Sequence, residues 1–343
     1  MSKLVLLGNS PSSGSTMFAD LLDSSDMTAC GPELEYFCNP LLFDFASHQH
    51  NIEKTGSLFA LRSTGIFPNW NRLHHYGLTK QALIDMILSS KDYPSFEESF
   101  CRHFLSFRSK NETGVVFEKT PQNLNTVGQF LTQSQGHFVC LVRHPLYVFN
   151  SLLNRGWEPY SALATWLIYA SKAVDFLEHD RFHVVKLEEL VGSPFSVTAS
   201  VMNTVLESDS ITPDELKQSF EHNTYRENAS EKLPSWSVNQ SVKEIKNPNL
   251  KEVSTDRVAM FANALDLRVS QEYAHHYGLS RITYREAMEK FGYASNEFDS
   301  GRLKQIPALT MNERFRYLKK AARSTITGHG KISDYALYTK ALV

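Results

Sequence analysis

The segment from Lys3 to Leu22 constrains the fold more than any other part of the chain. Leu4 to Leu7 form a continuous apolar run, as expected for a strand that is buried on both faces of a parallel sheet. A loop of small residues follows at 8–16, and apolar residues then recur at helical spacing at Met17, Phe18, Leu21 and Leu22. Strand, glycine- and serine-containing loop, and helix in this order are typical of the first unit of a nucleotide-binding α/β domain.

The same alternation continues along the chain. Strand patterns occur at 114–117, 138–142 and 182–186, and helical patterns follow them at 121–133, 145–155 and 187–207, with a mostly apolar helix at 160–179. Alternating strands and helices predict a parallel sheet with ligands at the carboxyl ends of its strands. The predicted fold class is therefore α/β, a P-loop-like three-layer domain with a central parallel sheet flanked by helices.

An insertion and a tail surround this core. We predict a single α/β domain over residues 1–280, with a helical insertion at about 40–112, and a helical C-terminal extension packed on it at 281–343. The insertion is rich in aromatic residues and histidines. This composition is typical of a cap that packs on the sheet edge, and also of part of a pocket for a small organic ligand. The two roles are compatible. The basic stretch at 312–323 in the tail is interpreted as a solvated helix face.

Charge and composition exclude several classes of protein. Lys and Arg number 35, Asp and Glu number 37, and the net charge is −2, whereas a nucleic-acid or polybasic membrane binder would carry a basic excess. The four cysteines form no CxxC pair, the N-terminus carries no signal-peptide pattern, and no apolar run reaches the ~20 residues of a membrane helix. We therefore expect a cytoplasmic protein that binds neither nucleic acid nor membrane. The sequence leaves its oligomeric state open.

The loop at 8–16 has the composition of an anion site. Gly14 lets the backbone approach a ligand closely, and hydroxyl groups are supplied by Ser12, Ser13, Ser15 and Thr16. Together with the N-terminus of the following helix, these groups suit a phosphate or a sulfate. The loop differs from G-x-x-x-x-G-K-[ST], because five residues separate Gly8 from Gly14 and Ser15 stands at the place of the lysine. That lysine pairs with the terminal phosphates of ATP, so its absence disfavours a kinase.

A second anion site is predicted at the end of the strand at 138–142. Arg143 follows this strand, Pro145 is well placed to open a helix, and Ser151 would project from that helix two turns later. An arginine at a strand end is often a structural ion-pair partner. The interpretation that the Arg143 guanidinium and the Ser151 hydroxyl bind a second phosphate is favoured, because another anion loop is predicted in the same sheet.

These residues resemble the sulfotransferases that use 3′-phosphoadenosine 5′-phosphosulfate (PAPS). Pro11 to Thr16 is similar to the family's loop P-[KR]-[ST]-G-[ST]-[ST], which grips the 5′-phosphosulfate, and Arg143, Pro145 and Ser151 are similar to its signature for the 3′-phosphate. The resemblance implies a PAPS-dependent enzyme that moves the sulfuryl group, by in-line transfer, to a hydroxyl of a small organic acceptor. The implied product is 3′,5′-adenosine bisphosphate, and no metal is needed. Three pairs of histidines also lack the spacing of a metal site: His48 and His50, His74 and His75, and His275 and His276.

Lesser matches point to the branch with carbohydrate, tyrosyl-protein and bacterial sulfotransferases. The segment from Cys30 to Glu33 resembles the segment that supplies a catalytic carboxylate, which implies Glu33 as the base, with Glu35 as its competitor. Phe117 to Pro121 resembles the E-K-x-P element and implies a role for Lys119. A late segment at 241–250 resembles one that closes over the cofactor, which implies Ser241 and Lys246 as cofactor-binding residues.

One position departs from the family pattern. The loop's Lys or Arg, which steadies charge on the leaving phosphate, is Ser12 here, and we expect Lys119 to take over that work. Two alternatives remain: a P-loop phosphotransferase and a catalytically silent adenine-nucleotide-binding module. The near-neutral charge and the aromatic insertion suit a small or medium apolar alcohol or phenol, as in secondary metabolism, and a compact cationic acceptor is also compatible.

Overall fold

A computed structural model of the protein describes residues 2–55, 70–222, 252–295, 310–312, 314, 315, 318 and 341–343. Two of the predicted cofactor-binding residues, Ser241 and Lys246, lie outside these described residues.

The described residues form a five-stranded parallel sheet flanked by helices, which confirms the predicted fold class. Its strands are β1 (Lys3–Asn9), β2 (Thr28–Cys30), β3 (Val115–Lys119), β4 (His137–Val142) and β5 (Phe182–Lys186). Their order in the sheet is β2-β3-β1-β4-β5. The central strand β1 pairs in parallel with β3 on one side and β4 on the other, and Leu4 to Leu7 are fully buried. The carboxyl ends of β1, β3 and β4 therefore share one edge of the sheet, where ligands of such sheets bind.

Helices connect and cover the strands. The α-helices of the described residues are α1 (Ser15–Leu22), α2 (Phe45–Thr55), α3 (Lys80–Ser89), α4 (Tyr93–Phe107), α5 (Val127–Gln133), α6 (Pro145–Asn154), α7 (Pro159–Ala173), α8 (Leu187–Gly192), α9 (Pro194–Leu206), α10 (Pro213–His222), α11 (Thr255–Ala262), α12 (Gln271–Tyr277) and α13 (Tyr284–Lys290). Shorter 3₁₀ turns lie at Pro40–Phe43, Trp70–Tyr76, Pro121–Asn125 and Val174–Phe176.

Most predicted elements are present, and the differences have local causes. The pattern at 187–207 is two helices, α8 and α9, because Pro194 cannot donate the backbone hydrogen bond that a continuous helix needs. The pattern at 121–133 starts as the 3₁₀ turn Pro121–Asn125 and becomes α5 only at Val127. The edge strand β2 was not predicted, since three residues are too few to show a periodicity.

The aromatic side chains of the insertion pack mainly against one another. Helix α4 begins at a capping box formed by Asp92 and Ser95, and its rings at Phe96, Phe100 and Phe104 are fully buried. Ring centroids lie 4.5 Å apart for Tyr76 and Phe104, a distance typical of favourable aromatic pairs. The rings of Phe96, Phe100 and Phe104 are thus part of a core rather than the wall of an open pocket.

The chain groups into two compact units. The first comprises 1–9, 14–141 and 179–247, and the second comprises 10–13, 142–178 and 248–343. The sheet lies in the first unit apart from the last residue of β4, and α6, α7 and α11–α13 lie in the second. Within the second unit Tyr284 of α13 stacks on Trp166 of α7, with ring centroids 5.2 Å apart. The predicted boundary at residue 280 stays a prediction.

Within the described ranges, no helix is both long and apolar enough to cross a membrane.

Candidate active site

The loop after β1 leads directly into α1, and Gly14 sets its geometry. Gly14 has a φ of +85°, in the left-handed region that favours glycine. A Cβ at this position would lie 2.5 Å from Cδ1 of Leu187, so no larger residue fits without movement. Gly14 is also the N-cap of α1 and has no side chain that could cap the first turn. The backbone N–H groups of the first turn, at Ser15 and Thr16, therefore suit an anionic ligand.

The turn that carries Glu33 is fixed by a tyrosine. A Cβ on Gly31 would lie 2.4 Å from Cζ of Tyr76, and the Tyr76 hydroxyl donates a hydrogen bond of 2.5 Å to the Pro32 carbonyl oxygen. Because Tyr76 is fully buried, it cannot swing away to admit a side chain at Gly31. This close approach of ring and backbone sets the path of the chain into Glu33.

The end of β3 holds the same turn from the other side. The carboxylate of Glu118 accepts hydrogen bonds from the Leu34 amide at 2.9 Å and from the Thr120 hydroxyl at 2.6 Å. The Thr120 hydroxyl in turn accepts from the Glu35 amide at 3.1 Å. Burial raises the pKa of Glu118, although Thr120 and other donors oppose the shift. These bonds tie the Glu33–Glu35 segment to the carboxyl edge of the sheet.

The Glu33 carboxylate contacts two cations. Lys119 Nζ, which is fully buried, lies 2.7 Å from Glu33 Oε1, and Arg72 Nη1 lies 3.5 Å from Oε2. Arg72 also donates to the Glu33 carbonyl oxygen at 3.0 Å. Burial alone would raise the pKa of Glu33, but the charges and hydrogen bonds of Lys119 and Arg72 outweigh it and lower that pKa. The carboxylate is therefore ionised at neutral pH and able to accept a proton.

The structure brings together Glu33 and Lys119, two residues predicted from separate motifs. Arg72 was missed by the sequence analysis. It belongs to the insertion and lies 39 residues from Glu33 in sequence, and no motif or periodicity marks it. Glu35, the competing base, is partly exposed and has a left-handed φ of +58°.

The predicted arginine of the second anion site contacts the loop. Arg143 directly follows β4 and is 5% exposed, and its Nη1 donates to the Ser12 carbonyl oxygen at 2.8 Å. Its own carbonyl oxygen accepts from Trp166 Nε1 at 3.1 Å. Ser151, predicted beside it, lies on α6 and is partly buried. Ser13 of the loop is fully buried, with its hydroxyl 2.8 Å from that of Ser10.

A second arginine, not predicted, also reaches Ser12. Arg155 follows the last residue of α6, and its Nη1 donates to the Ser12 hydroxyl at 3.0 Å. Its position four residues after Ser151 is a signal that could have identified it, because residues four apart share a helix face.

The described residues contain no cluster of three or more potential ligands for a metal ion.

A comparison with known protein families assigns the chain to a family. The model of the family described as "Sulfotransferase family" matches residues 5–205, more than half of the chain. No curated protein sequence matches the chain significantly.

Among solved structures, the chain is similar to a sulfotransferase domain from the Synechococcus PCC 7002 olefin synthase, with 16% identity, a TM-score of 0.43, and coverage of 76% of this chain and 93% of that one. It is similar to a sulfotransferase domain from the curacin biosynthetic pathway, with 17% identity, a TM-score of 0.46, and coverage of 85% and 98%. It is also similar to a sulfotransferase from Mycobacterium avium, with 13% identity, a TM-score of 0.36, and coverage of 81% and 77%. On the family match, the chain belongs to the sulfotransferase family of PAPS-dependent enzymes.

Proposed function

We propose that this protein transfers the sulfuryl group of PAPS to a hydroxyl group of a small organic acceptor, with Glu33 as the base. One observation carries this proposal: the Glu33 carboxylate lies 2.7 Å from the buried Lys119 ammonium at the carboxyl end of β3. A carboxylate held ionised beside a fixed cation provides both charges that such a transfer requires, one for the proton and one for the leaving phosphate.

The residues present fit PAPS. The N-terminus of α1 is preceded by a left-handed Gly14, and Arg143 is a nearly buried guanidinium, and both are features of phosphate sites. We assign the 5′-phosphosulfate to Ser12 through Thr16 and the 3′-phosphate to Arg143 and Ser151. Ser241 and Lys246 stay proposed as further binding residues on sequence grounds. When bound, PAPS supplies an activated sulfuryl group.

Glu33 acts on the acceptor. The acceptor oxygen forms a bond to sulfur while the bond from sulfur to the 5′-phosphate oxygen breaks, and that bond's electron pair leaves with 3′,5′-adenosine bisphosphate. The hydroxyl proton moves to the Glu33 carboxylate. A base in position contributes about 10²–10⁴-fold in rate. The hydrogen bonds from Leu34 to Glu118 and from Glu35 to Thr120 keep the carboxylate in place.

Lys119 is proposed to have two tasks. It positions Glu33 through the 2.7 Å contact, and its charge opposes the negative charge that develops on the leaving phosphate. An ammonium has three N–H donors, so a hydrogen bond to Glu33 does not use up its capacity.

The acceptor is proposed to be a small hydroxyl compound. The net charge of −2 disfavours a polyanion. The described aromatic rings of the insertion do not support a wide apolar pocket, because Phe96, Phe100 and Phe104 are fully buried in the core.

Equilibrium binding and turnover test the proposal together. By calorimetry we expect tight binding of 3′,5′-adenosine bisphosphate that is unchanged by EDTA, and we expect labelled sulfate to pass from PAPS to a panel of alcohols and phenols. Binding of ATP that requires magnesium, without binding of the bisphosphate, would point to a kinase. Bisphosphate binding without turnover on a broad acceptor panel would point to a silent nucleotide-binding module.

A further inference from the structure

The proposed 5′-phosphosulfate loop has no cation of its own. Residues 8–16 contain neither lysine nor arginine, and Ser15 stands where a nucleoside-triphosphatase loop has its lysine. Backbone N–H groups and a helix N-terminus contribute partial charges. A leaving phosphate develops additional negative charge, and positively charged groups aimed at that charge are among the strongest contributions to catalysis.

Two guanidinium groups converge on one residue of this loop. Arg143 Nη1 donates to the Ser12 carbonyl oxygen at 2.8 Å, and Arg155 Nη1 donates to the Ser12 hydroxyl at 3.0 Å. The two arginines stand at opposite ends of α6, and all three residues belong to the second unit. The arginines differ in surroundings, because Arg143 is nearly buried whereas Arg155 is exposed.

Resting on the proposed function, we propose that Arg155 supplies the positive charge that the loop itself lacks, and that it does so at the 5′-phosphate side of the bound donor. The Ser12 hydroxyl, by accepting a hydrogen bond from Arg155, anchors that guanidinium beside the loop. A guanidinium has five N–H donors, so the hydrogen bond to Ser12 leaves donors that can face a phosphate. Ser12 is partly buried and has a left-handed φ of +68°, which shows that the surrounding structure holds the loop in a defined conformation.

Comparing two ligands shows which phosphate the Arg155 guanidinium contacts. 3′,5′-adenosine bisphosphate carries both phosphates, whereas 5′-adenosine monophosphate lacks the 3′-phosphate. If Arg155 acts at the 5′ side, Arg155→Ala weakens the binding of both ligands by a similar factor, about 10- to 100-fold for a lost charged hydrogen bond. If the variant weakens only the bisphosphate, Arg155 acts on the 3′-phosphate and the inference is wrong.

A relocated charge provides a second test. Ser12→Lys in the Arg155→Ala background puts a cation into the loop, and we expect it to restore most of the lost affinity for both ligands. Arg155→Lys keeps the charge without the guanidinium fork, so it should lie between the wild type and Arg155→Ala. If the Ser12→Lys/Arg155→Ala double variant binds no better than Arg155→Ala, the charge at this position is not what Arg155 contributes.

A control variant and the wild type separate the possible failures. Arg102 is an exposed arginine on α4 that pairs with Glu98, and Arg102→Ala should leave both dissociation constants unchanged. Failure of the wild-type protein to bind 3′,5′-adenosine bisphosphate would refute the proposed function itself. Normal binding of both ligands by Arg155→Ala would refute only the role of Arg155.

Discussion

At the scale of single residues, Glu33 combines two opposing properties. Lys119 and Arg72 lower its pKa, which keeps it ionised at neutral pH. A lower pKa also makes a carboxylate a weaker proton acceptor. The contacts with Lys119 and Arg72 therefore give a carboxylate that is fully ionised at neutral pH but has a low proton affinity. In the proposed reaction the hydroxyl proton leaves only as the bond to sulfur forms, so a weak base is sufficient.

The first prediction concerns Glu33 itself. Glu33→Gln should lower kcat by about 10²–10⁴-fold and leave the dissociation constant of 3′,5′-adenosine bisphosphate within a few-fold of the wild type, because the amide keeps the shape of the carboxylate but cannot take a proton. Steady-state kinetics and calorimetry measure the two quantities. Glu35→Gln is the matched control, and a larger loss of turnover in that variant would move the base to Glu35.

The second prediction uses pH to test Lys119. Because the pKa of Glu33 is lowered from 4.5, the midpoint of the acidic fall in wild-type kcat/KM should lie below pH 4.5, where the carboxylate becomes half protonated. Lys119→Ala removes the nearest cation and leaves the burial that raises the pKa, so the acidic fall should move to higher pH. Turnover should drop more than affinity for the bisphosphate.

Lys110 provides the control for this experiment. It is a partly buried lysine, and its ammonium donates to the carbonyl oxygens of Asp23 and Ser25 rather than to Glu33. Lys110→Ala should leave the pH profile of kcat/KM unchanged. An unshifted profile in Lys119→Ala would remove Lys119 from the electrostatics of the site.

At the scale of elements, the loop between β1 and α1 depends on a conformation that only glycine adopts cheaply. Gly14→Ala should combine two costs, about 1–2 kcal/mol for the left-handed backbone and a further cost for a Cβ that lies 2.5 Å from Leu187 Cδ1. We expect a lower melting temperature and weaker binding of 3′,5′-adenosine bisphosphate, measured by calorimetry.

Gly156 separates the two costs. It also has a positive φ, +77°, but a Cβ there would meet nothing within 4 Å. Gly156→Ala should therefore show only the backbone cost. Equal destabilisation by both variants would mean that the contact with Leu187 relaxes without cost.

The elements themselves were largely predictable, because each depends on neighbouring residues. The apolar run at Leu4–Leu7 predicted β1, and apolar residues at helical spacing predicted most of α1. β2 was missed because it owes its existence to pairing with β3 rather than to its own three residues. The close contact of Gly31 with Tyr76 could not be predicted either, because Gly31 follows β2 whereas Tyr76 lies in the insertion, far away in the sequence.

At the scale of the whole molecule, a buried carboxylate couples stability to pH. Glu97 on α4 accepts a hydrogen bond from the Ser134 hydroxyl at 2.8 Å, and burial raises its pKa from 4.5 to about 7, although Ser134 and Tyr93 oppose the shift. Between pH 4.5 and 7 the folded protein keeps a proton that the unfolded chain releases. Stability contributed by this group is therefore present below pH 4.5 and lost as pH rises through 7.

The fourth prediction follows from this shift. The free energy of unfolding of the wild type, minus that of Glu97→Gln, should fall by about 3 kcal/mol between pH 4.5 and 7, since one pKa unit corresponds to about 1.4 kcal/mol. Urea unfolding at a series of pH values measures this difference. Taking the difference matters, because burial lowers the pKa of His137 to about 4, which makes wild-type stability rise with pH over part of the same range. A difference that does not change with pH would show that Glu97 is not protonated in the folded protein.

The sequence by itself determined the α/β fold, the loop with Gly14, and the positions of Glu33, Lys119 and Arg143 as candidates. These features are encoded locally, by apolar periodicity and by small residues at fixed spacing, so neighbouring residues suffice to identify them. Only the tertiary structure decided which of these side chains meet. Arg72 reaches Glu33 across 39 residues and Arg155 reaches Ser12 across 143. Such contacts join residues that are far apart in the chain, so no local sequence pattern records them.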